Sequence, residues 1–206
     1  MSINTPLTGL EIHILSFFLE NITEHFAIRE IARKIKVDYK HVHSTIQKLA
    51  KKKIIIKKRQ ANIDLCSLNL KNDLIHIYYV EMLRSIDFMN KHKELKFFFQ
   101  SIQEKIKTGF YSLVVFGSFA KGTETINSDL DIMIITPSRN IGEEIVRIIN
   151  AEAILLKRKF QFVVLDEKEF IKSLESKEIN VATEAFNNHI IIQGFEIFYH
   201  GIKQRR

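Results

Sequence analysis

At 206 residues and 46% apolar composition the chain can bury a core without covalent staples, and its single cysteine excludes an intramolecular disulfide framework. The first 23 residues lack a basic leader and are interrupted by Glu11, His13 and Glu20, so no secretory leader or membrane span is expected and the location is read as cytoplasmic. The net charge of +7 is uneven: residues 1–69 hold 12 Lys/Arg against 6 Asp/Glu and the remainder 19 against 18, which assigns any polyanionic partner to the first third.

Residues Thr8 to Glu20 carry Leu10, Ile12, Ile14, Leu15, Phe17, Phe18 and Leu19 at helical spacing, with Thr8 as N-cap and Glu11 three residues on. A second helix is expected over Phe26–Ile35, its stripe formed by Ile28, Ile31, Ala32 and Ile35. Asp38 caps a third, through about Lys52, with Val42, Ile46 and Leu49 inward and Lys40, His41, Ser44, Gln47 and Lys48 outward. Ile54–Lys58 and Ile63–Leu68 then read as two strands of a hairpin joined by residues 59–62.

Three helices followed by a basic hairpin, with Ile28-Arg29-Glu30-Ile31-Ala32 and a capped third helix, resemble a winged helix-turn-helix over about residues 8–69. The resemblance implies DNA as a partner. Tyr39, Lys40, His41, His43, Ser44 and Gln47 are then candidates for the major groove, and Lys48, Lys51, Lys52, Lys53, Lys57, Lys58 and Arg59 for phosphates. A solvated charge run is the plainer alternative. His41-Val42-His43 is not expected to bind metal, because helix neighbours two apart face different ways and no third ligand accompanies them.

From Leu70 to Thr108 there is no proline or glycine, and apolar residues recur at helical spacing, so one long connecting helix is expected, or two with a break near Asn90–Lys93. Its apolar stripe also offers a face for a homodimer. The remainder alternates: strand Tyr111–Phe116, a turn with a short helix over Gly117–Asn127, strand Asp129–Ile135, helix Ile141–Lys159, strand Phe160–Leu165, helices Glu167–Ser176 and Asn180–His189, and the apolar, Gly-interrupted Ile190–Tyr199. The expected architecture is mixed α+β and α/β: residues 1–69, a helical connector at 70–108, and a domain at 109–206 with a small mixed sheet.

Within that domain, Val114-Val115-Phe116-Gly117-Ser118 runs from a strand into a turn whose backbone can approach an anion closely, with a helix N-terminus behind it. Ser118 adds a hydroxyl, Lys121 a nearby cation, and Gly122 a sharp turn toward the next strand. Asp129 and Asp131, two apart on a strand, project from one face and suit divalent cations of the Mg²⁺ or Mn²⁺ type, which take one or two carboxylates and complete their shell with water and phosphate. With two such ions, one activates the attacking hydroxyl and the other stabilises the pyrophosphate leaving group.

Gly-Ser, ten intervening residues, then Asp-x-Asp on a strand resembles the DNA polymerase β-like nucleotidyltransferase superfamily, over roughly Phe110–Tyr199, and within it the minimal nucleotidyltransferases. The resemblance implies transfer of NMP from an NTP, with ATP the expected donor, to a hydroxyl acceptor. Asp129 and Asp131 become the catalytic metal ligands and Gly117, Ser118 and Lys121 the nucleotide contacts. Some minimal members are antitoxins that modify a HEPN-type toxin with AMP, which makes a protein acceptor one possibility. The family places a third carboxylate on the next strand, and the position here is Gln161; Asp166 is near, but its parity puts it on the other face unless a bulge intervenes. The alternative reading is therefore a transcription regulator whose domain senses a nucleotide without turning it over.

Overall fold

The computed structural model describes residues 7–60, 62–72, 74–156, 158–176 and 180–204. The chain divides into two compact units, Met1–Glu81 and Met82–Arg206.

The first unit runs α1 (Gly9–Leu19), β1 (Phe26–Ala27), α2 (Ile28–Ile35), α3 (Tyr39–Lys51), β2 (Ile55–Gln60) and β3 (Ile63–Leu68). The Thr8 side chain accepts from the Glu11 amide, and the Glu11 carboxylate accepts from the Thr8 amide at 2.7 Å. These reciprocal bonds satisfy two donors that the first turn would otherwise leave open. Glu11 is only 3% exposed, and Lys52 donates to it at 2.8 Å. Burial pushes the Glu11 carboxyl up, but the bonds from Lys52 and Thr8 outweigh it and hold the group below its usual range.

Phe26 and Ala27, expected to open the second helix, instead pair antiparallel with Cys66 and Leu65, completing a small sheet of order β1-β3-β2. The helix starts two residues later than expected, at Ile28, because Phe26 and Ala27 are held extended in the sheet; Ala27 is the N-cap and makes no side-chain capping bond. The expected stripe of Ile28, Ile31, Ala32 and Ile35 is buried, and Lys36 closes the helix in the left-handed region. Asp38 caps α3, accepting from the Lys40 amide at 2.9 Å. The hairpin is tighter than expected, since Arg59 and Gln60 continue β2 and Gln60 faces Ile63. Ala61, assigned to the turn, lies outside the described residues. Cys66 is fully buried and its thiol is pushed up to about 11, chiefly by burial, which leaves it a packing residue.

Residues 70–108 form two helices, α4 (Ile75–Lys91) and α5 (Lys93–Lys105), with the break at His92. The boundary between the units falls inside α4, and Leu95, Phe98, Phe99 and Ile102 of α5 belong to the core of the second unit. That unit continues with β4 (Ser112–Phe116), α6 (Gly117–Lys121), β5 (Leu130–Thr136), α7 (Arg139–Ala153), β6 (Phe160–Asp166), α8 (Glu167–Glu175), α9 (Val181–Asn187), β7 (Ile190–Gln193) and α10 (Phe195–Gln204). The expected helix over 141–159 starts at Arg139 and gives way after Ala153 to one 3-10 turn, Ile154–Leu156.

The sheet order is β6-β5-β4-β7, with β5 and β6 parallel and the other pairs antiparallel. Leu113, Val115, Ile132, Ile134, Ile190 and Ile192 bury one face with α5 and α7. Their neighbours Val114, Met133, Ile135 and Ile191 are buried on the opposite face, where α8, α9 and α10 contact the strands. A sheet covered on both sides accounts for the unbroken apolar run Ile132-Met133-Ile134-Ile135, which alternation alone would not produce. No helix among the described residues is long and apolar enough to cross a membrane.

Candidate active site

Strand register assembles the site. Phe116 at the end of β4 faces Asp131, and Asp131 faces Gln161 on β6, so one row across three strands aligns Phe116, Asp131 and Gln161, and Gly117 follows directly against Asp131. Asp129 lies two residues before Asp131, just ahead of β5. A cleft of about 350 Å³ is lined by Gly117, Ser118, Lys121, Asp129 and Asp131, every one of them singled out from the sequence, and by Thr123, Ser128, Gln161 and Glu184.

Gly117 has φ +69°, and a Cβ there would stand 2.1 Å from Asp131 Oδ2. Glycine at this position therefore makes room for the aspartate, in addition to any approach to an anion. The helix behind it, α6, is a single turn of five residues, so it supplies first-turn amides with little of the macrodipole expected from the sequence. Gly122 ends that turn at φ +65° and opens the loop to β5. In that loop the Ser128 hydroxyl accepts from the Thr125 amide at 2.8 Å, while Arg158 donates to the Ser128 carbonyl at 3.0 Å and lies 4.9 Å over the Phe119 ring. His92 Nε2 lies 3.5 Å from Glu124 Oε1 and edge-on to Phe119. These contacts hold the segment that delivers Asp129, and none was visible in the motif.

The Asp131 carboxyl is held above its usual range by burial first, then by Glu184 and Asp129, with Lys121 acting the other way. Crowded negative charge of this kind on hard oxygen donors fits a divalent cation. Among the described residues no group of three or more His, Cys, Asp or Glu could hold an ion alone. Two aspartates with substrate phosphate and water to complete the shell is a sufficient set for Mg²⁺ or Mn²⁺.

Gln161 occupies the position expected of it and donates to Asp129 Oδ2 at 2.9 Å. Asp166 does not complete the acidic set: it faces Thr136 at the far end of the strand and caps α8, accepting from the Glu169 amide at 2.8 Å. The carboxylate that sequence reading missed is Glu184, on α9, whose Oε1 accepts from Lys121 Nζ at 2.9 Å. Lys121, expected at the phosphates, is thus bound across the cleft from α6 to α9.

In the first unit Tyr39, Lys40, His41, Ser44 and Lys48 are exposed on α3, and Lys51, Lys52 and Lys53 cluster at its far end. His43 and Gln47, both candidates for the major groove, are half-buried and contact each other at 3.4 Å, and Gln47 accepts from Lys57 at 3.0 Å. Arg59 pairs with Asp64 at 3.2 Å, Lys52 is bound by Glu11, and Lys58 is exposed. Tyr39, His43 and Arg59 line a cleft of about 810 Å³ together with Arg29 and Arg33, which the sequence reading did not select. The Arg29 guanidinium lies 5.8 Å above the Tyr39 ring.

No curated protein and no solved structure matches the chain. Residues 93–186, which hold the whole acidic cleft, match the family model described as Nucleotidyltransferase domain, and this supports general nucleotidyl transfer by the second unit.

Proposed function

We propose that the second unit transfers a nucleoside monophosphate from an NTP, ATP as the expected donor, to a hydroxyl acceptor, with Mg²⁺ or Mn²⁺ as cofactor. The observation that carries this reading is the row Phe116–Asp131–Gln161, with Gly117 following Phe116 and Asp129 close by, which gathers two carboxylates and the Gly-Ser turn in one cleft. Asp129 and Asp131 hold the ion, which when bound neutralises charge developing on the phosphates. The Ser118 hydroxyl and the Lys121 ammonium orient the triphosphate. The test incubates the chain with each labelled NTP and either ion, with and without cell extract and a HEPN-type toxin as candidate protein acceptor. Label should appear on an acceptor, and nucleotide binding with neither label transfer nor pyrophosphate release would overturn the proposal.

The second reading, a nucleotide-sensing transcription regulator, is favoured by the Gln161–Asp129 bond, since an amide occupies the place of a carboxylate and takes one Asp129 oxygen. On either reading we assign the first unit to DNA as a winged helix-turn-helix, on the helix order, the basic hairpin and the exposed Tyr39, Lys40, His41, Ser44, Lys48 and Lys58. Two copies reading paired half-sites would appear as a dimer in light scattering. Duplex binding should weaken with salt, and Lys40→Ala or Lys58→Ala should each lower the slope of log K against log salt by about 0.9. Lys52→Met should leave the slope unchanged, because Glu11 already holds that ammonium. A native slope near zero in a mobility-shift titration would rule DNA out.

A further inference from the structure

We infer that Glu184 is the proton acceptor of the transfer reaction, standing in from α9 for the carboxylate that β6 lacks at Gln161. This rests on the nucleotidyl-transfer reading above. Three observations lead to it, together with the assignment of the ion. Gln161, opposite Asp131, is an amide that cannot take a proton and is already bonded to Asp129. Asp166 is committed to capping α8. Asp129 and Asp131 are assigned to the ion. Glu184 is the remaining carboxylate of the cleft, and it weighs more heavily on the Asp131 carboxyl than Asp129 does.

Its partner supplies a means of control. Lys121, 2.9 Å from Glu184, sits on the turn that begins at Gly117 and Ser118, where the triphosphate is placed. Both side chains of this pair are about 40% exposed, 40% for Lys121 and 43% for Glu184, so the pair is weak and an arriving phosphate can compete for the ammonium. Drawing Lys121 away frees the Glu184 carboxylate oxygen that it occupied, so that this oxygen is open to the acceptor hydroxyl only once nucleotide is bound. The acceptor hydroxyl oxygen then bonds to the α-phosphorus. Its proton passes to a Glu184 oxygen, and the bond from the α-phosphorus to the bridging oxygen breaks with its electron pair leaving on pyrophosphate.

The experiment measures pyrophosphate release and label transfer by the full chain, alongside binding of a fluorescent non-hydrolysable NTP analogue. Glu184→Gln should lower kcat by about 10²–10⁴-fold, the range for losing a positioned general base, with analogue affinity retained. Lys121→Met should instead raise the KM for nucleotide. Adding Gln161→Glu to Glu184→Gln should recover part of the lost kcat, which a purely structural Lys121–Glu184 pair would not permit. Native kcat in a folded Glu184→Gln variant would overturn the assignment while leaving nucleotidyl transfer intact. A native chain that binds the analogue and releases no pyrophosphate from NTP would overturn both.

Discussion

Asp131→Asn is expected to lower label transfer on the order of 10³-fold or more, because removing a metal-holding carboxylate forfeits several kcal/mol of charge stabilisation at the phosphates. The same substitution should raise Tm in the absence of nucleotide and cation. Burial, Glu184 and Asp129 hold the Asp131 carboxyl above its unfolded value. Its contribution to stability is fully present below the unfolded value and lost as pH rises through the folded one, so at neutral pH the ionised group destabilises the fold. Asparagine removes that charge, and its advantage in thermal unfolding should shrink in acid. An Asp131→Asn variant that melts below the native protein at neutral pH would contradict the electrostatic account, and one that still transfers label would contradict the assignment of the site.

The second large effect is expected at Gly117. Alanine there would place a methyl group 2.1 Å from Asp131 Oδ2 on a residue at φ +69°. The clashing atom is the end of a side chain, so the fold can absorb it by turning the carboxylate aside, at about 1–2 kcal/mol for the left-handed backbone. The cleft cannot, because a displaced Asp131 no longer shares a cation with Asp129. Gly117→Ala should therefore resemble Asp131→Asn in transfer and in loss of Mn²⁺ binding, yet melt below the native chain where Asp131→Asn melts above it. Transfer within a few-fold of native would show that the carboxylate at 131 need not stay where it is.

The parts legible in the sequence were those fixed by short-range chemistry. Thr8 with Glu11 and Asp38 with Lys40 satisfy nearby amides, and Gly-Ser with Asp-x-Asp encodes a strand, a turn and a returning strand in one continuous segment. Gln161 was legible too, through the family resemblance, which laid Phe160–Leu165 on the strand after Asp-x-Asp and put Gln161 at the carboxylate position that the strand register sets opposite Asp131. What escaped depends on pairing between distant segments. Phe26 and Ala27 read as helix since their partners, Cys66 and Leu65, lie some forty residues on. Lys52 read as a phosphate contact because nothing local reveals a buried Glu11 awaiting it. Glu184 carries no motif: it enters the cleft only because α9 packs against β4.

Among the described residues strand β6 closes one side of the four-stranded sheet with no strand beyond it. Its core, Phe160-Gln161-Phe162-Val163-Val164-Leu165, is six residues of strong β-forming character without a charge, and the Phe160 and Phe162 rings lie nearly parallel, their centroids 6.1 Å apart. Such an open edge is a template on which another chain can add a strand. Lys159 and Asp166 bound the window, but the exposed residue within it is Gln161, where a carboxylate would have repelled a second edge. An amide rather than an acid at position 161 therefore bears on two properties together: the proton chemistry proposed for the cleft and the colloidal reserve of the sheet that carries it.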